Sequence, residues 1–412
     1  MTSPERTLAA CAFRRPDRIP RFDNFQEYTK TWEAQFGPAE SLSDMEIIVP
    51  DETPFPSRAR RIREEGGWIY EVDGWGRTVR RRPDAFFVEV LQAPISAGAD
   101  PDSVRFESPG LDSRYSAKSR LEIERLKRRR ALFAKTGGPF LRTSFVRGET
   151  QFLLDIAGDP PLAAALAGKV ADHLAAVGVE AVRRYGLQET GVWIYDDMGY
   201  NDGPMFSPKS FERVLLPAFR RMIAAYKRAG ARYVFLHSDG DVRPLLDMLV
   251  EAGIDGLNPL ERRANMEPSE IRKRYPRLIL AGGMDNSHAL IRGPVERIRS
   301  QARELIDLGR DGGLIVGAHS ISADVPMEHF AAYHDTCLKY GHFAARGVPH
   351  FRRPSGLLKC GTSREVWRAA EGPPRGYSGK TRREGASWSA IEAKPLRSPS
   401  FRKSRRTSEM RY

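Results

Sequence analysis

Between residues 140 and 320 the chain alternates short apolar runs with helical patterns. The runs are FLRTSFVRG (140–148), GVWIYDD (191–197), RYVFLHSDG (232–240), DGLNPLE (255–261), LILAGGMD (278–285) and GLIVGAHS (313–320). Their apolar positions are continuous rather than alternating, as in parallel strands covered on both faces. Between them, SPKSFERVLLPAFRRMIAAYKRAG (207–230) opens on a Ser cap and Pro208 and stops at Gly230. DVRPLLDMLVEAG (241–253) also stops at a glycine, and GPVERIRSQARELIDLG (293–309) runs from Pro294 to Gly309. Proline in the first turn and glycine at the last are helix punctuation. Repeated strand–helix units joined by short loops predict an α/β fold.

The 412 residues allow two or three domains, or one α/β barrel of about 250 residues with extensions. Upstream, EEGGWIYEVDGWGRTVRRRPDAFFVEV (64–90) reads as one or two hairpins, and ERLKRRRALFAKTG (124–137) as a helix. No linker separates this region, so residues 1–135 are expected to form an irregular extension of a unit spanning 1–345. The net charge of +13 belongs to the C-terminal segment. Residues 346–412 hold 17 Lys+Arg against 5 Asp+Glu, which leaves 49 basic and 48 acidic residues in the first 345. That segment is rich in Arg, Ser, Gly and Pro and poor in aliphatic residues, the composition of a disordered tail. RSPSFRKSRR (397–406) could neutralise phosphates, but basic tails are common and rarely specific, so nucleic acid is not the expected partner. Three cysteines (Cys11, Cys337, Cys360) and no CxxC exclude a disulfide framework and a cysteine-rich zinc site. The sequence has no run of about 18 uninterrupted apolar residues and no apolar stretch near its start, so a cytoplasmic protein without a membrane span is expected.

In a parallel barrel the active site lies at the C-terminal ends of the strands. Here those ends carry Asp196 and Asp197, then His237 and Asp239, then Glu261, Asp285 and His319. Packing does not demand an apolar run that ends in Asp, His or Glu. Each residue has a structural alternative: Asp197 or Asp285 as a helix cap, His237 as a satisfied core histidine, Glu261 paired with Arg262 or Arg263. Five such ends together point to a site. His237-x-Asp239 places both side chains on one face of a strand end. With Glu261 and His319 the pair makes a zinc shell of imidazole and carboxylate, able to activate a thiol or other nucleophile. The metal-free alternative has Asp239 binding substrate NH groups while His319 relays a proton. Asp196, Asp197, Tyr200 and Asp285 would position substrate at the mouth. Trp75, in Asp73-Gly74-Trp75-Gly76, is either a packed turn aromatic or a substrate contact. GxGxxG, Walker A and GxSxG are absent, and none of the cysteines falls at an expected strand end.

RTLAACAFRRPDRIPRFD (6–23), HSDGDVRPLLDMLVEAGIDGLNPLE (237–261), LAGGMD (280–285) and GAHSISADVPMEHF (317–330) resemble the uroporphyrinogen decarboxylase superfamily. The resemblance covers roughly residues 4–344 and implies a TIM-type (β/α)8 barrel. One branch of the superfamily is the metal-free decarboxylase of haem (porphyrin) biosynthesis. The other holds zinc-dependent corrinoid and thiol methyltransferases. In that second branch a His-x-Cys pair, an acidic residue and a later Cys bind zinc; here His237, Asp239, Glu261 and His319 stand at those places. The decarboxylase branch carries an Asp-Gly, matched by Asp239-Gly240, a His matched by His319, and a Gly-x-x-Asp matched by Asp285. Its N-terminal arginine pair, which holds substrate carboxylates, has no counterpart in RFDNFQEYTKTWEAQFG (21–37), where Arg21 is the only arginine. The expected function is therefore methyl transfer from a small methylated donor, with a corrinoid or thiol as acceptor. Zinc is the expected cofactor, and a small-molecule substrate, a corrinoid protein and a second copy of the chain are the expected partners. Carboxy-lyase chemistry on a tetrapyrrole, without cofactor, and a non-catalytic ligand-binding barrel are the alternatives.

Overall fold

The computed structural model describes residues 1–83, 88–95, 100–115 and 117–343. The basic tail 346–412 lies outside the described residues. In chain order the strands are β1 (Met45–Ile48), β2 (Arg60–Glu65), β3 (Trp68–Val72), β4 (Thr78–Arg81), β5 (Glu89–Gln92), β6 (Ala131–Gly137), β7 (Gly191–Tyr195), β8 (Gly199–Tyr200), β9 (Gly203–Pro204), β10 (Tyr233–His237), β11 (Gly256–Asn258), β12 (Ile279–Met284) and β13 (Leu314–Ala318). Seven of them form one sheet in the order β1-β6-β7-β10-β11-β12-β13, with every neighbouring pair parallel. Helices between successive strands cover its outer face. This is the α/β, TIM-like architecture that the strand–helix alternation implies.

Of the expected (β/α)8 barrel, the described residues show a curled parallel sheet. Seven strands make the sheet among the described residues. Beside β13, residues 21–25 form only isolated parallel bridges, Arg21 to Val316 and Phe25 to Ile321. Asp23 fixes this strap: its Oδ1 accepts from Ala318 N and Tyr333 Oη, and its Oδ2 accepts from Arg21.

Side chains alternate between the two faces of each strand. On β7, Val192 and Ile194 pack outwards under the helices, while Trp193 joins Phe133, Phe235, Ile279, Ala281 and Ile315 on the inner face. The Trp193 and Phe235 rings stack with centroids 4.3 Å apart, and Phe133 meets Phe235 edge-on at 5.3 Å. This aromatic layer fills the interior directly below the polar strand ends. Leu8 and Cys11, on the N-terminal helix Ser3–Cys11, pack against the same inner cluster.

Two segments differ from the sequence reading. FLRTSFVRG is the helix Pro139–Arg147, and the strand is Ala131–Gly137, inside the stretch expected to be helical. Phe140, Thr143, Ser144 and Arg147 are buried at helical spacing, so the run carries a 3.6-residue period that its apolar content conceals. The helix in the 124–137 stretch ends at Lys127. The hairpin expectation holds: β2, β3, β4 and β5 form a separate antiparallel sheet. The first 135 residues nonetheless supply β1 and most of β6 to the main sheet. Helix Pro160–Tyr185 is long and apolar enough by composition to span a bilayer, yet one side of it is buried in the core. Lys169, Asp172 and His173 interrupt its apolar character.

Candidate functional site

Parallel register places Tyr195, His237 and Asn258 side by side on β7, β10 and β11. The Tyr195 and His237 rings stack with centroids 4.2 Å apart. His237 Nδ1 lies 2.5 Å from Asn258 Oδ1, and Asn258 Nδ2 donates to Ala281 O at 3.0 Å. With its amide oriented by the Ala281 carbonyl, Asn258 accepts from Nδ1–H and leaves Nε2 with a bare lone pair. Burial lowers the His237 pKa and favours this neutral ring. Nε2 sits 3.6 Å from Asp239 Oδ1 and 3.7 Å from Asp197 Oδ1. His319, one residue past β13, brings its Nε2 to 3.6 Å from the same Asp239 oxygen. Its pKa is also lowered by burial, which the Asp239 charge opposes.

The carboxyl of Asp239 is pushed up to about 7 by burial, against the pull of His319. Asp239 Oδ1 and His319 Nδ1 are buried without a hydrogen-bond partner among the described residues. Buried polar atoms in folded proteins are nearly always satisfied, so two orphans in one cluster call for an explanation. His237, Asp239 and His319 can each offer one ligand atom, all within 4.8 Å of one another. Two imidazoles and a carboxylate, with one imidazole held from behind by an amide, suit a first-row divalent ion. The residues present therefore fit a metal, without the thiolates of a soft site.

The structure brings together four of the residues singled out from sequence: Asp197, His237, Asp239 and His319. Asp197 Oδ1 also accepts from Asp239 N at 3.1 Å and so steadies the loop after β10. Glu261 stands behind the cluster. Its Oε2 accepts from Gly240 N at 2.8 Å and its Oε1 pairs with Arg263, so the expected fourth ligand braces the loop instead. Gly240 itself has φ +80°, and a Cβ there would lie 2.3 Å from the carbonyl carbon of Gly199. Asp196 turns away: its carboxylate accepts from Phe140 N and Leu141 N at the start of helix Pro139–Arg147, and burial raises its pKa to about 7. Asp285 likewise caps the turn after β12 through Ser287 N and His288 N. Tyr200 is 55% exposed on β8, and Trp75 is packed between Phe145 and Arg142 in the turn after β3. Asp196, Asp285 and Trp75 thus have local partners, while the Tyr200 carbonyl accepts from Asp241 N in the loop that carries Asp239.

Sequence reading missed Asn258 and Lys135. Asn258 ends strand β11, but in the sequence it lies inside the run DGLNPLE, which carries on to Glu261. Lys135 was hidden by reading its strand as a helix. Its Nζ lies 4.0 Å over the Tyr195 ring. Phe22, Asn24 and Tyr195 line both a void of about 10 Å³ beside His237 and His319 and a water-open cleft of about 380 Å³ beyond it.

The model of the uroporphyrinogen decarboxylase (URO-D) family matches residues 88–340. No curated protein sequence matches the chain significantly. Among solved structures, a methyltransferase from Methanosarcina mazei is similar with a TM-score of 0.59 and 16% identity, over 82% of this chain and 99% of that one. A chitinase from Rhizomucor miehei overlaps with a TM-score of 0.31 and 11% identity, over 54% of this chain and 87% of that one. The first likeness is one of fold, and the second is too slight to support an argument.

Proposed function

This chain belongs to the uroporphyrinogen decarboxylase family, and from that premise we propose an enzyme that transfers a methyl group from a small methylated donor to a thiol or corrinoid acceptor. The observation that carries the reading is the His237–Asp239–His319 cluster, with its two unpartnered buried atoms. A divalent ion such as zinc, held there, would supply Lewis acidity and lower the pKa of a bound nucleophile. The chain's own residues do the remaining work. Asn258 fixes the His237 tautomer, Asp197 and Glu261 hold the Asp239–Gly240 backbone, and Tyr195 walls one side of the imidazole. The fold shared with a protein named a methyltransferase supports the same reading.

Carboxy-lyase chemistry on a tetrapyrrole is the weaker reading. A substrate with many carboxylates needs cationic partners. Arg21 is the only arginine in the segment 21–37, and its buried guanidinium is taken by Asp23 at 2.6 Å and by His334. The test is metal content per chain of untagged protein, beside an Asp239→Ala/His319→Ala variant. Near one equivalent of zinc in the parent, lost in the variant, is the expected result. It would be followed by methylation of a thiol or of cob(I)alamin from a panel of methylated donors. Absence of bound metal in the parent, even after zinc is added, would overturn the metal-based reading.

A further inference from the structure

The cleft beyond Tyr195 is bordered by β1, β6 and residues 22–25, and has apolar walls from Phe22, Phe25, Met45 and Ile47. Its charged lining is Arg130 and Lys135 together with the carboxylates of Asp23, Glu40 and Glu46; Asp23 is paired with Arg21, and Arg130 faces both glutamates. Arg130 is already bound to Glu46 at 2.6 Å. Lys135 differs. It lies on the inner face of β6, two residues after Phe133, and no hydrogen bond or ion pair engages its ammonium among the described residues. The Tyr195 ring meets one side of the ammonium, and an aromatic face cannot satisfy three N–H donors. Burial and the nearby Arg142 charge lower the pKa of this lysine, against the pull of the Glu52 and Asp197 carboxylates, neither of which reaches it as an ion pair. The same Tyr195 ring stacks on His237, so the ammonium stands one ring away from the candidate metal ligands.

We propose that Lys135 anchors the carboxylate of a small acid with an apolar body, seated in this cleft with its far end directed towards His237, Asp239 and His319. The inference rests on the reading that the cluster is the reacting centre, and it adds the substrate class: a monocarboxylate rather than a polycarboxylate, because one unpaired cation meets one charge. The cleft volume of about 380 Å³ falls within the range of small-molecule pockets and accommodates a single-ring acid.

The experiment is calorimetric titration of the full-length protein with benzoate and with benzamide, which has the same shape without the charge. Wild type is expected to bind benzoate roughly tenfold or more tightly than benzamide, the scale of one charge-assisted hydrogen bond. Lys135→Met, which keeps the aliphatic stem, is expected to abolish that preference, with Lys135→Gln as a second variant. Equal affinity for the two probes in wild type, no detectable benzoate binding, or a preference that persists in the variants would overturn the proposal. The wild-type comparison does not depend on any variant folding. Zinc content is measured on the same samples. A Lys135-dependent preference in protein that binds no metal would sink the metal-based reading and leave the anchoring role standing.

Discussion

The tautomer of His237 is set by a residue 21 positions away. Asn258 holds Nδ1–H and is itself held by the Ala281 carbonyl, so the bare Nε2 faces Asp239. Partners of this kind orient a ligating imidazole, and their loss commonly lowers metal affinity about 10–100-fold. Asn258→Leu is expected to weaken zinc binding by about that factor, while Asn258→Asp, which keeps an acceptor, should lose much less. Competition against a chromophoric chelator reads both, and equal affinities in all three proteins would show the contact to be idle. The juxtaposition of His237 and Asp239 was legible in the sequence because it depends only on a two-residue period. The Asn258 contact was not, because it depends on how β11 is registered against β10.

At the scale of elements, the strand ends divide their labour. Asp196 and Asp197 are adjacent, yet alternation sends one to each side. Asp197 joins the cluster, while Asp196 satisfies the free N–H groups of Phe140 and Leu141. Those amides open helix Pro139–Arg147, where Gly138 at the cap position contributes no side-chain hydrogen bond. Asp196→Ala removes the acceptor from two amides and is expected to cost about 2 kcal/mol of stability, with bound zinc per chain unchanged. Urea denaturation and metal analysis check the two halves of that statement. Loss of metal without loss of stability would place Asp196 in the site after all. The apolar content of this helix resembles that of a strand, and only the spacing of its buried residues distinguishes the two. Pro139 at its first turn was the available start signal.

At the scale of the whole molecule, the strap of residues 21–25 lies against β13 through a buried ion pair. Asp23 accepts from Arg21, Tyr333 and the Ala318 amide, and Arg21 lies over the Tyr333 ring. Removing one partner of a buried pair leaves an uncompensated charge and commonly costs about 3–5 kcal/mol. Asp23→Ala is expected to lose stability on that scale in denaturant unfolding; a loss below about 1 kcal/mol would mean that Arg21 finds another partner or reaches water. The same strap supplies Phe22 and Asn24 to the void beside the two histidines, so its loosening should also weaken ligand binding in the cleft. By itself the sequence determined the strand–helix alternation from residue 191 onwards, the hairpins of 64–90 and the polar groups at the strand ends, because periods of 2 and 3.6 residues and Pro/Gly punctuation are local properties. Only the tertiary structure decided which polar ends converge. His237 and His319 are separated by three strands and their helices, and they meet through sheet curvature and register. Glu261, Asp285 and Asp196 carry the same chemical signature, but unsatisfied backbone amides beside them claimed their carboxylates, and that competition is fixed by neighbours distant in the chain or by the local turn.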